Sequence, residues 1–204
     1  ITIARITPAI GTMMVQSSLN ILGSYAVAAF TAGSKIESIF TQAFVAIGTA
    51  MSTYNAQNIG ARKLDRVRKG FRSADVIGCT YGVLVGFILF FVGKYFAYLF
   101  ISDNAEVVIP MVETYLQCVG MFMIPLYVVN SYRNGFQGMG YGLLPMLSGV
   151  AELVGRGIMA VVASNKKSYT MACMASPFAW IVATVLLIGL YFYVMKDMKK
   201  KLCL

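Results

Sequence analysis

Six stretches of this sequence are apolar over the length of a membrane span, and they constrain the fold more than any other feature. They cover roughly residues 3–24, 30–57, 73–100, 107–132, 142–164 and 170–195. A helix needs about 20 mostly apolar residues to cross the hydrocarbon core of a bilayer. Apolar residues make up 58% of the chain and charged residues only 12%, too few charges for a surface that water covers throughout. The sequence predicts an all-α polytopic membrane protein, a bundle of six transmembrane helices.

Positive charge is distributed unevenly between the predicted loops, and this predicts the orientation. Six Lys and Arg residues lie in 62–72 and four in 196–201, segments that six spans place on one side of the membrane together with Arg5 and Arg133. The opposite side receives three, Lys94, Lys166 and Lys167. Because Lys and Arg collect on the cytoplasmic side, we expect a multi-pass protein of the cytoplasmic (inner) membrane with both chain ends in the cytoplasm.

The basic segment 60–72 has the pattern of an amphipathic helix. Leu64, Val67 and Phe71 recur at helical spacing with cations between them. Such a segment lies at the headgroups and attracts anionic lipid, so membrane lipid is an expected partner. Basic clusters also occur in nucleic-acid-binding proteins, but not embedded between spans of membrane length, and we expect no nucleic-acid partner.

Two charges interrupt the fifth span, in the sequence SGVAELVGRG. Glu152 and Arg156 are four residues apart, so one helical turn brings them onto the same face as an intramembrane ion pair. Charged side chains within a span usually face a bundle interior or a wet cavity. The pair is therefore either a structural clasp between helices or part of the lining of a transport path.

The second span carries Lys35 and Glu37, which point about 200° apart on a helix and cannot pair with each other. Lys35 shares a face with Ser38 and Gln42. Each charge needs another partner or water, which indicates either a cavity lining or a position at the outer mouth. Gln16 and Asn20 similarly share one face of the first span.

The residue types that usually hold metals or cofactors, or that act in catalysis, are scarce in this sequence. The chain has no His and four singly spaced Cys, so we predict no metal site, no cofactor and no enzyme activity. The segment YRNGFQGMGYG, residues 132–142, contains four glycines and one cation. It predicts a tight cytoplasmic turn with close helix contacts between the fourth and fifth spans, with Arg133, Asn134 and Gln137 as its structural motif.

Four stretches together resemble the C-terminal half of the MATE family, the multidrug and toxic compound extrusion transporters. They are SSLNILGSYAVAAFTAGSKIE (17–37), GTAMSTYNAQNIGARKLDRVRKGFR (48–72), YRNGFQGMG (132–140) and PMLSGVAELVGR (145–156). The resemblance implies helices seven to twelve, one lobe of a two-lobed transporter, with the N-terminal lobe missing from this sequence as its expected partner. It implies export of small organic cations and other toxic compounds in exchange for H⁺ or Na⁺, through a cavity between the lobes.

The same resemblance directs attention to the polar residues of the first two spans as a cavity wall. The predicted substrate and cavity residues are Gln16, Asn20, Lys35, Glu37 and Gln42. The sequence departs from some family members because its first span has no acid, only Arg5, and because Glu113 lies near the outer end of the fourth span rather than deep within it.

Three other functions compete with multidrug antiport. A lipid-linked oligosaccharide flippase of the same superfamily would need cations in its cavity, and Lys35, Arg156 and Arg5 keep that alternative open. A membrane enzyme has little support without His or clustered acids at the membrane face. An inert structural subunit would bind no cation.

Overall fold

The chain folds into a bundle of helices in the computed structural model, which describes residues 2–99, 101 and 104–202, with side chains from residue 10 onward. The side chain of Arg5 lies outside the described part of the chain. The described helices are α1 (Thr2–Leu22), α2 (Ser24–Gly60), α3 (Leu64–Phe91), α4 (Gly93–Ala97), α5 (Ala105–Gly120), α6 (Met123–Gly138), α7 (Leu143–Lys166), α8 (Tyr169–Cys173) and α9 (Ala175–Lys201).

These helices follow the order of the six predicted spans, but three spans are each divided by a break, between α3 and α4, between α5 and α6 and between α8 and α9. By length and composition, α3, α7 and the α8–α9 segment could cross a membrane, and the bent pair α5–α6 would be a fourth such span. Helix α2 is much longer than predicted, about 55 Å at 1.5 Å per residue. Among the described helices α1 and α2 are not in that apolar group, and α2 carries many polar residues.

Prolines explain the last two of these breaks, and none lies near the break at Val92 between α3 and α4. A proline ring clashes with the carbonyl four residues earlier and lacks the N–H that would bond to it, whereas the first turn of a helix tolerates proline. Pro125 is the third residue of α6, and the chain bends by 55° between α5 and α6. Pro177 is the third residue of α9, and α8 ends four residues before it, at Cys173.

The basic segment 60–72 is mostly helix rather than loop. Only residues 61–63 separate α2 from α3, and the sequence placed the start of the third span nine residues too late because it treated the charges as a boundary. Leu64, Val67 and Phe71 are buried, as the amphipathic pattern predicted, and they pack in one core cluster with Val194 and Met198 of α9.

The predicted loop 132–142 is also largely wrong. Helix α6 continues to Gly138, so the connection to α7 is only residues 139–142. Arg133, Asn134 and Gln137 therefore lie within α6. The glycines of this segment serve close packing: a Cβ at Gly138 would lie 2.0 Å from the backbone oxygen of Ser52 in α2. This approach agrees with the close helix contacts expected for the segment, whereas the expected turn was wrong over residues 132–138, since glycine is favoured at both.

Candidate functional site

A polar stripe runs along the exposed face of α2. Its members recur at intervals of three, four or seven residues, which keeps them on one side of a helix. Lys35, Ser38 and Gln42 are all exposed, as the shared face in the sequence predicted. The stripe extends beyond those three, and its full membership is Thr31, Lys35, Ser38, Gln42, Thr49, Thr53 and Gln57, every one of them exposed.

The exposed face of α3 has the opposite character. Val76 is 68% exposed, Val83 60% and Phe87 64%, with Ile77, Leu84 and Phe91 on the same surface. A surface of this kind suits lipid, which needs no hydrogen bonds from the protein. The polar stripe of α2 suits lipid less well than this apolar face does, and it makes α2 a more polar side of the bundle than α3.

Glu37 lies on a different face of α2 from this stripe, about 200° around the helix from Lys35, and it is held by a tyrosine from another helix. Its side chain is only partly buried. The hydroxyl of Tyr115 in α5 donates a hydrogen bond to Oε2 of Glu37. Tyr115 itself is 2% exposed, and its ring packs against Phe30 at a centroid separation of 4.8 Å. A buried donor therefore orients the carboxylate of a residue that is itself partly exposed.

Helix α2 begins earlier than the sequence suggested, at Ser24, and this changes the setting of Lys35 and Glu37. They lie about 16–20 Å along the helix axis from its start. The two alternatives for these charges were a cavity lining and a place at the helix mouth. Because both residues follow several turns of helix, neither lies at the start of α2.

Glu152 lies between two arginines and is nearly inaccessible. Nη2 of Arg133 donates to Oε1 of Glu152, and Nη2 of Arg156 lies 3.5 Å from Oε2. Glu152 is 4% exposed and Arg156 8%. Nε of Arg133 also donates to Oγ of Ser148 at 3.0 Å, and that hydroxyl donates to the carbonyl oxygen of Pro145 at 2.7 Å. This geometry suits a clasp between α6 and α7 more than an open cavity lining.

A charge count connects this clasp to Glu37. Two arginines and one glutamate leave one excess positive charge, and the guanidinium of Arg156 acts electrostatically on the Glu37 carboxylate. The charges thus alternate in sign from Glu37 in α2, through Arg156 and Glu152 in α7, to Arg133 in α6. A glycine of α1 permits the arrangement, because a Cβ at Gly11 would lie only 2.9 Å from Cδ of Arg156.

Asp75 in α3 is a second carboxylate that the sequence interpretation missed. Tyr127 donates to its Oδ1 at 3.2 Å and Tyr132 to its Oδ2 at 3.0 Å, both from α6. The hydroxyl of Tyr127 also bonds to Oγ of the fully buried Ser131 at 3.3 Å. In the described part of the chain no cation forms an ion pair with Asp75. An acid inside a predicted span was the available signal.

The remaining predicted residues fall into two groups. Gln16 is partly buried and Asn20 is exposed, both on α1, which borders α2. Asn134 instead faces inward: its amide nitrogen donates to the backbone oxygen of Asn130 at 2.8 Å and lies 2.8 Å from where a Cβ of Gly48 would be. Gln137 is exposed near the end of α6. Among the described residues, no three acidic or cysteine side chains are placed to hold a metal ion.

A family model described as MatE matches residues 1–162 of the chain. The chain belongs to the MATE family. One curated relative is the probable multidrug resistance protein YpnP of Bacillus subtilis (strain 168), which is 30% identical over 137 residues, 67% of this chain and 30% of that protein.

Solved structures agree with the MATE assignment at the level of the fold. A MATE transporter in complex with MaL6 matches with a TM-score of 0.87 and 16% identity, over 97% of this chain and 45% of that one. A MOP superfamily transporter from Pyrococcus furiosus, described as having a binding pocket of reverse polarity, matches at 0.89 and 17%, over 96% and 44%. An inward-facing multidrug resistance MATE transporter matches at 0.77 and 16%, over 96% and 47%.

The MATE chain described here spans less than half the length of these transporters. The match over nearly all of this chain confirms the predicted fold class, an all-α membrane bundle that corresponds to one lobe of a MATE-like transporter. The MATE match covers residues 1–162 as a whole and does not distinguish α2 or its polar stripe from the rest. A role for the stripe and for Glu37 is therefore supported by their geometry alone.

Proposed function

We propose that this chain is one lobe of an antiporter that exports small organic cations in exchange for H⁺ or Na⁺ across the cytoplasmic membrane. A second lobe of similar size would complete the central cavity, with the polar stripe of α2 as part of its wall. The observation that carries the proposal is Glu37, a partly exposed acidic residue on the helix that carries the stripe, whose carboxylate Tyr115 holds in place.

The chemistry of antiport needs a group that two cations compete for. A partly accessible carboxylate in a low-dielectric wall attracts an organic cation, a proton or Na⁺ through the same negative charge. Arg156 limits the strength of that attraction because its positive charge also acts on Glu37. Moderate affinity favours release, which a transporter requires as much as binding. Gln16, Asn20 and Gln42 supply neutral hydrogen-bonding groups on the neighbouring surface.

Export of a cationic dye under an imposed gradient tests this proposal. The dye ethidium is loaded into vesicles that contain the full-length transporter, and its efflux is followed under a Na⁺ gradient or a pH gradient. We expect Glu37→Gln to slow gradient-driven efflux roughly tenfold, a loss of about 1.4 kcal/mol. Glu106→Gln is the matched control, because Glu106 is an exposed carboxylate at the start of α5. Unchanged efflux by Glu37→Gln contradicts the proposal.

A flippase for lipid-linked oligosaccharides is the second candidate, and the exposed ammonium group of Lys35 favours it. Lys35 lies on the polar stripe, where it could attract a pyrophosphate. Arg156 offers less support than the sequence suggested, because its guanidinium is buried against Glu152. Translocation of a lipid-linked precursor that Lys35→Gln abolishes, with no dye efflux by the unaltered protein, would favour the flippase.

A further inference from the structure

The basic ends of α3 and α9 form a single surface. Leu64, Val67 and Phe71 at the start of α3 belong to one core cluster with Val194 and Met198 of α9, and the rings of Phe71 and Tyr191 lie 5.2 Å apart, so the two basic segments are close to each other. There are ten of them, most of them exposed: Arg62, Lys63, Arg66, Arg68, Lys69, Arg72, Lys196, Lys199, Lys200 and Lys201. Two acidic residues accompany them, Asp65 and Asp197.

The carboxylate of Asp197 already has two interaction partners. It accepts a hydrogen bond from the hydroxyl of Tyr141 and lies 2.8 Å from Nζ of Lys201. Nζ of Lys201 also lies 4.8 Å from the centre of the Tyr141 ring, a cation–π distance. Lys196 and Lys200, by contrast, form no ion pair with a carboxylate in the described part of the chain.

These two lysines line a small cleft together with an aromatic side chain. Tyr193, Lys196, Asp197 and Lys200 surround a volume of about 270 Å³. Lys196 and Lys200 are one helical turn apart, so both ammonium groups can reach one ligand at this cleft. Tyr193 is 59% exposed and the adjacent Phe192 68%, which provides an apolar and aromatic surface next to the two charges.

We propose that this cleft binds the phosphate of an anionic phospholipid headgroup, with Lys196 and Lys200 as its charged ligands. Lysine binds phosphate as a point charge, and clusters of four to eight Lys and Arg next to a membrane helix are typical of anionic lipid recognition. The exposed Phe192, one helical turn before Lys196 on α9, suits an acyl chain and not free phosphate or nucleic acid. The site is independent of the transported compound.

Lipid retention by the purified full-length protein tests the site. Native mass spectrometry in detergent measures retained phosphatidylglycerol, with phosphatidylcholine as the lipid of no net charge and inorganic phosphate as a competitor. We expect phosphatidylglycerol to be preferred, and Lys196→Gln/Lys200→Gln to bind it roughly 30-fold more weakly, since each cation near the surface contributes about 1 kcal/mol. The matched control is Lys166→Gln/Lys167→Gln, which changes two exposed lysines at the C-terminal end of α7.

Each result of this experiment bears on the proposal. Equal retention of phosphatidylcholine, displacement by millimolar inorganic phosphate, or an equal loss in the control variant would overturn it. The single variants Lys196→Gln and Lys200→Gln keep the test decisive if the double variant does not fold, because each alone should weaken binding roughly fivefold. Unchanged binding in both single variants would also overturn it.

Discussion

Arg133 and Glu152 join two neighbouring helices of the bundle through a buried ion pair. Nη2 of Arg133 in α6 donates to Oε1 of Glu152 in α7, and Arg156 approaches the other carboxylate oxygen at 3.5 Å. An isolated charge within the membrane is costly, and an ion pair lowers that cost only when its partners are well placed. The clasp therefore explains how three charges can lie inside an apolar bundle.

Removal of the shared carboxylate should destabilise the fold. Glu152→Gln leaves the side chains of Arg133 and Arg156 largely buried without the negative charge between them, and breaking a buried pair costs about 3–5 kcal/mol. We expect a clearly lower midpoint of thermal unfolding in detergent. The control Glu106→Gln makes the same chemical change at an exposed position and should alter stability by less than about 0.5 kcal/mol. Equal midpoints for the two variants would show that the clasp contributes no stability.

The sequence predicted the pairing of Glu152 with Arg156 but not the participation of Arg133. Two residues four apart on one helix are neighbours whatever the tertiary structure, whereas Arg133 and Glu152 meet only because α6 packs beside α7. The sequence also assigned Arg133 to a loop, since the nearby glycines resembled a turn. Asp75 was missed for the same reason as Arg133, because its two tyrosine partners come from a helix distant in sequence.

The order and type of the helices were more predictable than their boundaries. Apolar stretches of membrane length fix where helices must lie, because a bilayer leaves few other structures possible. Charges at the start of α3 did not end the helix, since a helix can continue through the headgroup region. The bend before Pro125 could not be predicted, because the proline alone does not show at which residue the helix begins.

The contact between α6 and α2 at Gly138 predicts a strong glycine dependence. Gly138→Ala would place a methyl group 2.0 Å from the backbone oxygen of Ser52, and backbone cannot yield as a side chain can. We expect a loss of about 1–3 kcal/mol in the free energy of unfolding from overpacking. Gly189→Ala is the matched control, because nothing lies within 4 Å of its added Cβ in α9, and there alanine should be neutral or slightly stabilising. A Gly138→Ala variant as stable as Gly189→Ala would rule out this close approach.

The two tyrosines on Asp75 predict that its charge holds α3 against α6. Asp75→Asn replaces a charged acceptor by a neutral amide, and hydrogen bonds to charged groups contribute about 1.5–3 kcal/mol. We expect lower stability in Asp75→Asn and little further loss when Tyr132→Phe is added, which a double-mutant cycle measures. Asp65→Asn serves as the control, since that side chain is 92% exposed. Fully additive losses would argue against the contact.

We propose that this chain is a six-span membrane lobe whose 61–63 connection and C-terminal basic end lie on the same side. Thiol labelling in sealed vesicles tests it most directly, in a chain whose Cys79, Cys118, Cys173 and Cys203 are replaced by alanine. Single thiols at Lys63→Cys and Lys199→Cys should react with an impermeant reagent from one face, and Asn165→Cys from the other. Reaction of positions 63 and 199 from opposite faces would contradict the six-span arrangement.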